Sequence, residues 1–162
     1  MRGGAISGAV MALALLVAMP LSAAASNPSD LPSMTVSASP HAAHAQRVRV
    51  AVTLRYVMQC GYPGAGPLVV TFPSAVRLPK RFAAGAVTLS GKAAAATIRG
   101  RSVTVTIPPH SGVLCSTMGP GAVSLVFTRT AGLANPRAGS YRFTATHAKH
   151  TFKAKLVVKP AA

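Results

Sequence analysis

The sequence predicts an all-β fold, a single antiparallel sandwich of about seven short strands. Apolar and polar residues alternate in several segments, most regularly in Arg47–Tyr56, Ser102–Ile107 and Phe152–Lys159. Alternation of this kind buries one face of each strand and exposes the other. Gly and Pro residues separate the alternating segments, as is typical of turns. The helix candidate, Lys80–Ala86, is short and contains Gly85.

The strand candidates follow one another from Arg47 to the C-terminus. In the first segment, valine and leucine side chains share one face and arginines share the other. The remaining candidates are, in order, Pro67–Phe72, Ala86–Ser90, Ala94–Ile98, Ser102–Ile107, Ala122–Thr128, Tyr141–Thr146 and Phe152–Lys159. Short strands at this spacing, joined by Gly- and Pro-containing turns, favour an antiparallel sandwich over the alternative, a closed barrel.

Residues 1–25 predict a secretory signal peptide. Arg2 provides the positive start, the apolar run Ala9–Met19 follows, and Ala25 ends a small-residue cleavage site. The apolar run is shorter than the roughly 20 residues that a membrane-spanning helix needs, so the mature chain is expected to have no transmembrane segment. The predicted product is therefore secreted or associated with the cell envelope.

Two further regions follow the predicted signal peptide. Residues 26–46 are rich in Ser, Pro and Ala and predict a flexible leader, within which Met34–Val36 is a candidate for a short edge strand. Residues 47–160 form the predicted sandwich domain, which is large enough for one hydrophobic core.

Gly139-Ser140-Tyr141 begins a strand just after the Asn135-Pro136 turn, which predicts a tyrosine corner in which the hydroxyl of Tyr141 bonds to upstream backbone. The order of the segments that surround it resembles the immunoglobulin-like sandwich modules of prokaryotic secreted and surface-layer proteins. The segments that carry this resemblance are Val70-Thr71-Phe72-Pro73, Val87–Gly91, Val103–Ile107, Ala131–Pro136 and Ala138–Tyr141. The resemblance implies an immunoglobulin-like binding or structural module without catalytic residues.

The charge balance excludes many kinds of catalysis. The chain has 17 Lys and Arg residues against one acidic residue, Asp30, and its formal net charge is +16. General acid–base pairs, Ca²⁺ loops and phosphoryl-transfer sites all need carboxylates, and a nucleophilic triad needs an orienting acid. The sequence therefore predicts a protein that is not an enzyme and needs no cofactor.

The two cysteines have a structural and a metal-binding interpretation. In an exported protein, Cys60 and Cys115 are expected to form one disulfide, which would stabilise the domain by about 4 kcal/mol in the chain-entropy model. The alternative is a copper-handling protein, because sulfur and imidazole ligands from Met58, His110 and Met118 accompany the cysteines in sequence. The other histidines, His41 and His44 in the leader and His147 and His150 near the last strand, are expected to be solvated.

The basic residues lie at alternate positions of the first and last predicted strands. If these two strands share a sheet, the residues form one basic face, which predicts contact with an anionic polymer or an acidic surface. The candidate residues are Arg47, Arg49, Arg55, Lys149, Lys153, Lys155 and Lys159. Sequence-specific nucleic-acid binding is not expected, because aromatic residues are few. A further alternative is an adhesin-type module that binds a partner protein at the loop end near Cys60 and Cys115, where Tyr62 is expected to be exposed.

Overall fold

The computed structural model describes residues 31–110 and 116–161. These residues form ten β-strands, and the fold class predicted from alternation is confirmed. The strands are β1 Ser33–Ser39, β2 Arg49–Gln59, β3 Gly66–Thr71, β4 Val87–Leu89, β5 Lys92–Ala93, β6 Ala96–Arg99, β7 Ser102–Ile107, β8 Met118–Phe127, β9 Gly139–His147 and β10 His150–Val158. The predicted signal peptide, residues 1–25, lies outside the described residues and stays a prediction.

The strands make two antiparallel sheets of five strands that face each other. Sheet 1 has the order β1-β2-β8-β4-β5, and sheet 2 has the order β10-β9-β3-β7-β6. The inward positions of both sheets are filled by valine, leucine and phenylalanine side chains. At the centre, Phe72 packs edge-on against Phe127 and Phe143 with ring centroids 5.1 Å apart in both pairs. This geometry is favoured by the aromatic quadrupole and fixes how the two sheets pack together.

Strand β1 confirms the candidate edge strand at Met34–Val36, and it corrects the prediction of a flexible leader for the described part of residues 26–46. It pairs with β2 from Ser33 to Ser39 and buries Met34 and Ala38, so the sandwich begins before residue 47. Burial of these two side chains on the alternating face explains why the segment is ordered. Beyond β1, the buried Asn135 side chain donates hydrogen bonds of 2.8 and 2.9 Å to the carbonyl oxygens of Pro40 and Ala42.

The tyrosine corner is confirmed. The hydroxyl of Tyr141 donates a 2.8 Å hydrogen bond to the carbonyl oxygen of Arg137, four residues upstream. This bond links the start of β9 to the loop before it. The helix candidate Lys80–Ala86 forms turns and bends instead, consistent with Gly85 adopting a positive φ of 72°. Within residues 31–110 and 116–161, we find no helix with the length and apolar character needed to cross a membrane.

Candidate polyanion-binding face

The first and last predicted strands lie in different sheets, so the condition for a single basic face is not met. Arg49 and Arg55 belong to β2, which pairs with β1 and β8 in sheet 1. Because they alternate with the buried residues of β2, they lie on the outer face of this sheet. Lys153 and Lys155 lie on the outer face of sheet 2, because β10 pairs with β9. The basic residues therefore divide between two surfaces of the sandwich.

The other three predicted residues lie outside these two sheet faces. Arg47 precedes β2 and has a positive φ of 51°. Lys149 occupies the exposed turn between β9 and β10, and Lys159 follows β10. The backbone of Lys159 bonds to both sides of the turn after β1, donating to His41 O at 3.0 Å and accepting from Ala43 N at 2.8 Å. Lys149 and Lys159 lie at opposite ends of β10, so these three residues do not form a common patch.

Sheet 2 carries a cluster of three cations that we call the basic cluster: Arg142, Lys153 and Lys155. Lys155 lies directly opposite Arg142 in the β9–β10 ladder, and Lys153 lies two residues away on the same face. All three side chains are exposed, and together with Ala154 they line a shallow depression. Residues 31–161 contain no Asp or Glu, so no acidic side chain of the folded domain neutralises this cluster. The arrangement suits a ligand that brings several negative charges.

Arg142 was not among the predicted residues. The sequence does contain the signal, because Arg142 alternates with Tyr141 and Phe143 in a predicted strand and must therefore face outward. What the sequence does not reveal is that β9 and β10 pair in the register that sets Arg142 against Lys155. Like charges at directly opposite positions destabilise a sheet, so the pairing costs stability.

The end of the sandwich near Cys60 carries few charges. Lys149 is one of them, because its neighbours Ala148 and His150 line the same pocket as Val57 and Tyr62. Residues 56–76 and 102–128 contain no Asp, Glu, Lys or Arg. Here β2 and β8 extend beyond their neighbours, since β1 pairs no further than Arg55 and β4 no further than Leu125. The extension is a two-stranded ribbon that carries exposed Val57 and Met118, 48% and 64% accessible.

Loops next to this ribbon add an exposed aromatic ring. Tyr62 is 44% accessible, as predicted, and stacks on His110 with ring centroids 3.6 Å apart and an angle of 15° between the rings. We call Val57, Tyr62 and Met118 together the apolar end. Its exposed surface is mainly apolar and aromatic, and the exposed polar residue Gln59 lies opposite Met118.

The predicted disulfide stays a prediction, because Cys115 lies outside the described residues. Cys60 ends the ribbon with a positive φ of 54°, and its amide donates a 2.8 Å hydrogen bond to the carbonyl oxygen of Thr117. The Sγ atom of Cys60 lies 3.8 Å from the same oxygen. Cys60 is therefore positioned against the backbone only two residues from Cys115 in the chain.

The structure does not bring the thioethers of the alternative copper site together. Met58 is buried, whereas Met118 is exposed and lies opposite the outward-facing Gln59. The two methionines thus lie on opposite faces of the β2–β8 ribbon. Among residues 31–110 and 116–161, no group of three His, Cys, Asp or Glu side chains is close enough to hold a metal ion.

His147 is buried, and the expectation that it is solvated is wrong. It is 1% accessible, and its Nδ1 lies 3.2 Å from the carbonyl oxygen of Pro67. Its ring faces Tyr56 at a centroid distance of 6.0 Å. The sequence suggested a turn, but the strand continues to His147, whose side chain then falls on the inward face. Burial also raises the pKa of the Tyr56 hydroxyl above its usual value, since the phenolate would lose its hydration.

The comparison with known proteins shows a similar fold but does not assign the chain to a family. No protein-family model matches the sequence, and no curated protein matches it significantly. Among solved structures, the chain is similar to the crystal structure of BslA, a bacterial hydrophobin, with 20% identity, a TM-score of 0.52, and coverage of 80% of this chain and 98% of that one. At this identity the likeness shows a shared β-sandwich fold.

Two more distant structures are also similar in part. One is the collagen-binding domain of a Staphylococcus aureus adhesin, with 9% identity, a TM-score of 0.40, and coverage of 78% and 96% of the two chains. The other is a non-cellulosomal cohesin from the hyperthermophilic archaeon Archaeoglobus fulgidus, with 12% identity, a TM-score of 0.30, and coverage of 75% and 90%. Neither likeness is close enough to support an argument about this chain.

Proposed function

We propose that this protein is an exported, non-catalytic binding or structural module that contacts anionic polymers of the cell envelope or its surroundings. The observation that carries the proposal is the basic cluster, in which Arg142, Lys153 and Lys155 share one exposed face without an acidic side chain nearby. Export rests on the predicted signal peptide in residues 1–25. The basic cluster, rather than all seven predicted residues, is the proposed contact site.

The physical basis of the contact is that the cationic side chains of the basic cluster repel one another in the absence of a bound anion. Lys155 and Arg142 lie opposite each other, so their charges are close in the free protein. A polymer that supplies negative charges relieves this repulsion and releases its own condensed counterions, which makes binding favourable and dependent on salt. Retaining such a cluster at a cost in stability is consistent with a role in binding.

We further infer that the domain is an immunoglobulin-like module. In immunoglobulin constant domains one sheet has the strands A, B, E and D and the other has C, F and G. The order β1-β2-β8-β4 in sheet 1 and β10-β9-β3 in sheet 2 corresponds to these two sets, with β5, β6 and β7 inserted between the fourth and fifth strands of that scheme. Modules of this kind present binding surfaces on a rigid scaffold.

The test compares two variants that lose the same number of charges. In the first, Arg142, Lys153 and Lys155 are replaced by Gln. In the second, three predicted residues outside the cluster, Arg47, Arg49 and Lys159, are replaced by Gln. Binding of each purified chain to immobilised heparin is measured over a salt series, and the slope of log affinity against log salt gives the number of charges that engage the polymer.

We expect the cluster variant to lose affinity steeply and to show a shallower salt slope by about two to three charges. The matched variant should retain most of the affinity. Equal losses in the two variants would mean that only the net charge matters, and the proposed site would be wrong. Binding that does not change with salt would overturn the proposed function itself.

A second candidate function rests on the apolar end. The sandwich that this chain resembles is described as a bacterial hydrophobin, and Val57, Tyr62 and Met118 expose apolar surface at an end with few charges. We propose that this end adsorbs at an apolar boundary such as an oil–water interface. Apolar surface that leaves water at such a boundary stabilises the adsorbed protein by about 25 cal/mol per Å².

One exposed valine elsewhere provides a matched control for this second function. Val157 is 61% accessible and lies on β10, outside the apolar end. Val57→Thr should slow the fall of interfacial tension at an oil drop, whereas Val157→Thr should leave it unchanged. The same change makes both side chains polar at constant size and charge. Equal behaviour of the two variants would exclude the apolar end as the adsorbing surface.

A further inference from the structure

The outer face of sheet 2 is covered by hydroxyl side chains. The strand registers align these side chains in rows that cross the sheet. One row consists of Thr151, Thr146, Val69, Thr104 and Thr97, and the next consists of Lys153, Thr144, Thr71, Ser102 and Arg99. The second row therefore has three hydroxyl groups in its middle and a cation at each end.

The spacing of these hydroxyl groups follows from sheet geometry. Neighbouring strands lie about 4.8 Å apart, so a row across five strands is about 19 Å long. Residues two apart along one strand are separated by about 6.6 Å. Within the second row, the hydroxyl groups of Thr71 and Ser102 already bond to each other at 2.9 Å. The face is a broad, hydrogen-bonding surface that continues directly into the basic cluster, because Lys153 belongs to both.

We propose that this face binds an extended acidic polysaccharide, with the basic cluster pairing with its carboxylates and the threonine rows bonding to its sugar hydroxyl groups. The inference rests on the proposed function and names the class of polymer. A hydroxyl side chain donates one hydrogen bond and accepts others, so it can match sugar hydroxyl groups of either orientation. Lys and Arg form charge-assisted bonds to carboxylates.

Other occupants fit this face less well. Proteins that hold single-stranded nucleic acids without sequence preference stack bases on aromatic side chains, and none of the strand residues that face outward from sheet 2 is aromatic. Insertion into a lipid surface needs exposed apolar side chains. Among the described residues, Val157 is the single large apolar side chain that is exposed on this face. A polymer that carries both hydroxyl groups and carboxylates complements both kinds of side chain present.

The outer face of sheet 1 provides a comparison within the same molecule. It also carries hydroxyl groups: Thr35, Thr53 and Ser124 form one row, whereas Ala51 and Val126 interrupt the row between Ser37 and Thr88. The difference is that the cations of sheet 1 do not form a cluster like that of Arg142, Lys153 and Lys155. Substitutions on sheet 1 therefore serve as a matched control.

The experiment replaces hydroxyl groups and leaves every charge in place. The test variant carries Thr104→Val, Thr144→Val and Thr146→Val on sheet 2, and the control carries Thr35→Val, Thr53→Val and Thr88→Val on sheet 1. Valine matches threonine in shape and favours strands, so both variants should fold, which circular dichroism and thermal unfolding check. Affinities for polygalacturonate and for inorganic polyphosphate are measured at one salt concentration.

We expect the sheet 2 variant to bind polygalacturonate roughly thirtyfold more weakly or worse, because it loses three hydroxyl groups and each lost hydrogen bond to a neutral group reduces affinity about threefold to tenfold. Its affinity for polyphosphate and its salt slope should not change, because its charges are intact. The sheet 1 variant should bind both polymers like the unaltered chain.

Two outcomes would overturn the inference, and they leave the proposed function standing. In the first, the two threonine variants bind polygalacturonate equally well, so the hydroxyl groups do not contribute. In the second, the unaltered chain prefers polyphosphate, single-stranded DNA or vesicles of anionic lipid to polygalacturonate, so the polymer class is wrong. If the basic cluster variant also matches its control on every polymer, the proposed contact site is wrong as well, and binding that does not change with salt would overturn the proposed function itself.

Discussion

Replacing Lys155 by Glu should stabilise the domain and at the same time weaken its binding to polyanions. Lys155 lies directly opposite Arg142 between β10 and β9, and the folded domain contains no acidic residue. Residues at such positions have Cβ atoms about 5 Å apart, close enough for their charges to interact. The substitution therefore turns a repulsive pair into an attractive one within the proposed binding site.

The magnitude follows from Coulomb's law in a solvated setting. Two like charges about 6 Å apart in water repel each other by about 0.7 kcal/mol, and salt reduces this value. The substitution removes this repulsion and adds an attraction of similar size, so the free energy of unfolding should rise by about 1 kcal/mol at low salt. In a domain of this length, that gain raises Tm by about 3–6 °C.

Urea unfolding is the suitable assay, because urea carries no charge and does not screen the pair. The control is Lys92→Glu, which changes the net charge equally but faces Leu89 across the β4–β5 pair. The gain for Lys155→Glu should exceed that of the control at low salt, and the difference should vanish at about 1 M NaCl, where the Debye length is about 3 Å. A gain no larger than that of Lys92→Glu would refute the argument from local pairing.

Three further predictions concern single side chains. Tyr141→Phe removes the hydrogen bond of the tyrosine corner and should lower the free energy of unfolding by about 1 kcal/mol in urea, whereas Tyr62→Phe, at an exposed ring, should not. Tyr56→Phe should leave stability unchanged or raise it by about 1 kcal/mol, because the Tyr56 hydroxyl is buried without a hydrogen-bond partner among the described residues. Gly121→Ala would place a Cβ 2.5 Å from Met58 Sδ and 3.0 Å from the carbonyl oxygen of Gly61, so we expect a loss of about 1–3 kcal/mol in urea unfolding.

The buried tyrosine also predicts how stability depends on pH. Burial raises the pKa of Tyr56, so above pH 10 the unfolded chain loses this proton while the folded chain retains it. The free energy of unfolding should therefore fall as pH rises above about 10. The decline should be smaller in Tyr56→Phe, which has no such proton. An identical pH profile in both chains would contradict the assignment of this effect to Tyr56.

The fold was largely predictable because alternation is a local signal. The segment Ser102–Ile107 was predicted with the bounds that β7 has, and the burial of Val103, Val105 and Ile107 follows from its period of two. Strand β1 was harder to predict because Pro32 and Pro40 bound it and few large apolar residues lie within it. Its order comes from pairing with β2, which is a long-range contact that local patterns do not contain.

The candidate site was less predictable because it depends on which strands become neighbours. Alternation correctly places Lys153 and Lys155 on an outward face, but it does not tell which sheet their strand joins. The pairing of β10 with β9 brings Arg142 into the cluster, and it separates the cluster from Arg49 and Arg55 on sheet 1. Similarly, the threonine rows become visible only when four strand registers are combined.

Under both proposals, the basic cluster and the apolar end serve two contacts that do not compete. Val57 and Met118 lie on the outer side of the β2–β8 ribbon of sheet 1, whereas the basic cluster and the threonine rows lie on the outer face of sheet 2, on the other side of the sandwich. A polymer along sheet 2 therefore leaves the apolar end free to meet a different surface. The domain has no carboxylate of its own to balance its charge, so a bound polyanion supplies the missing counter-charge. Because such a ligand binds the folded state, polymer binding and domain stability rise together.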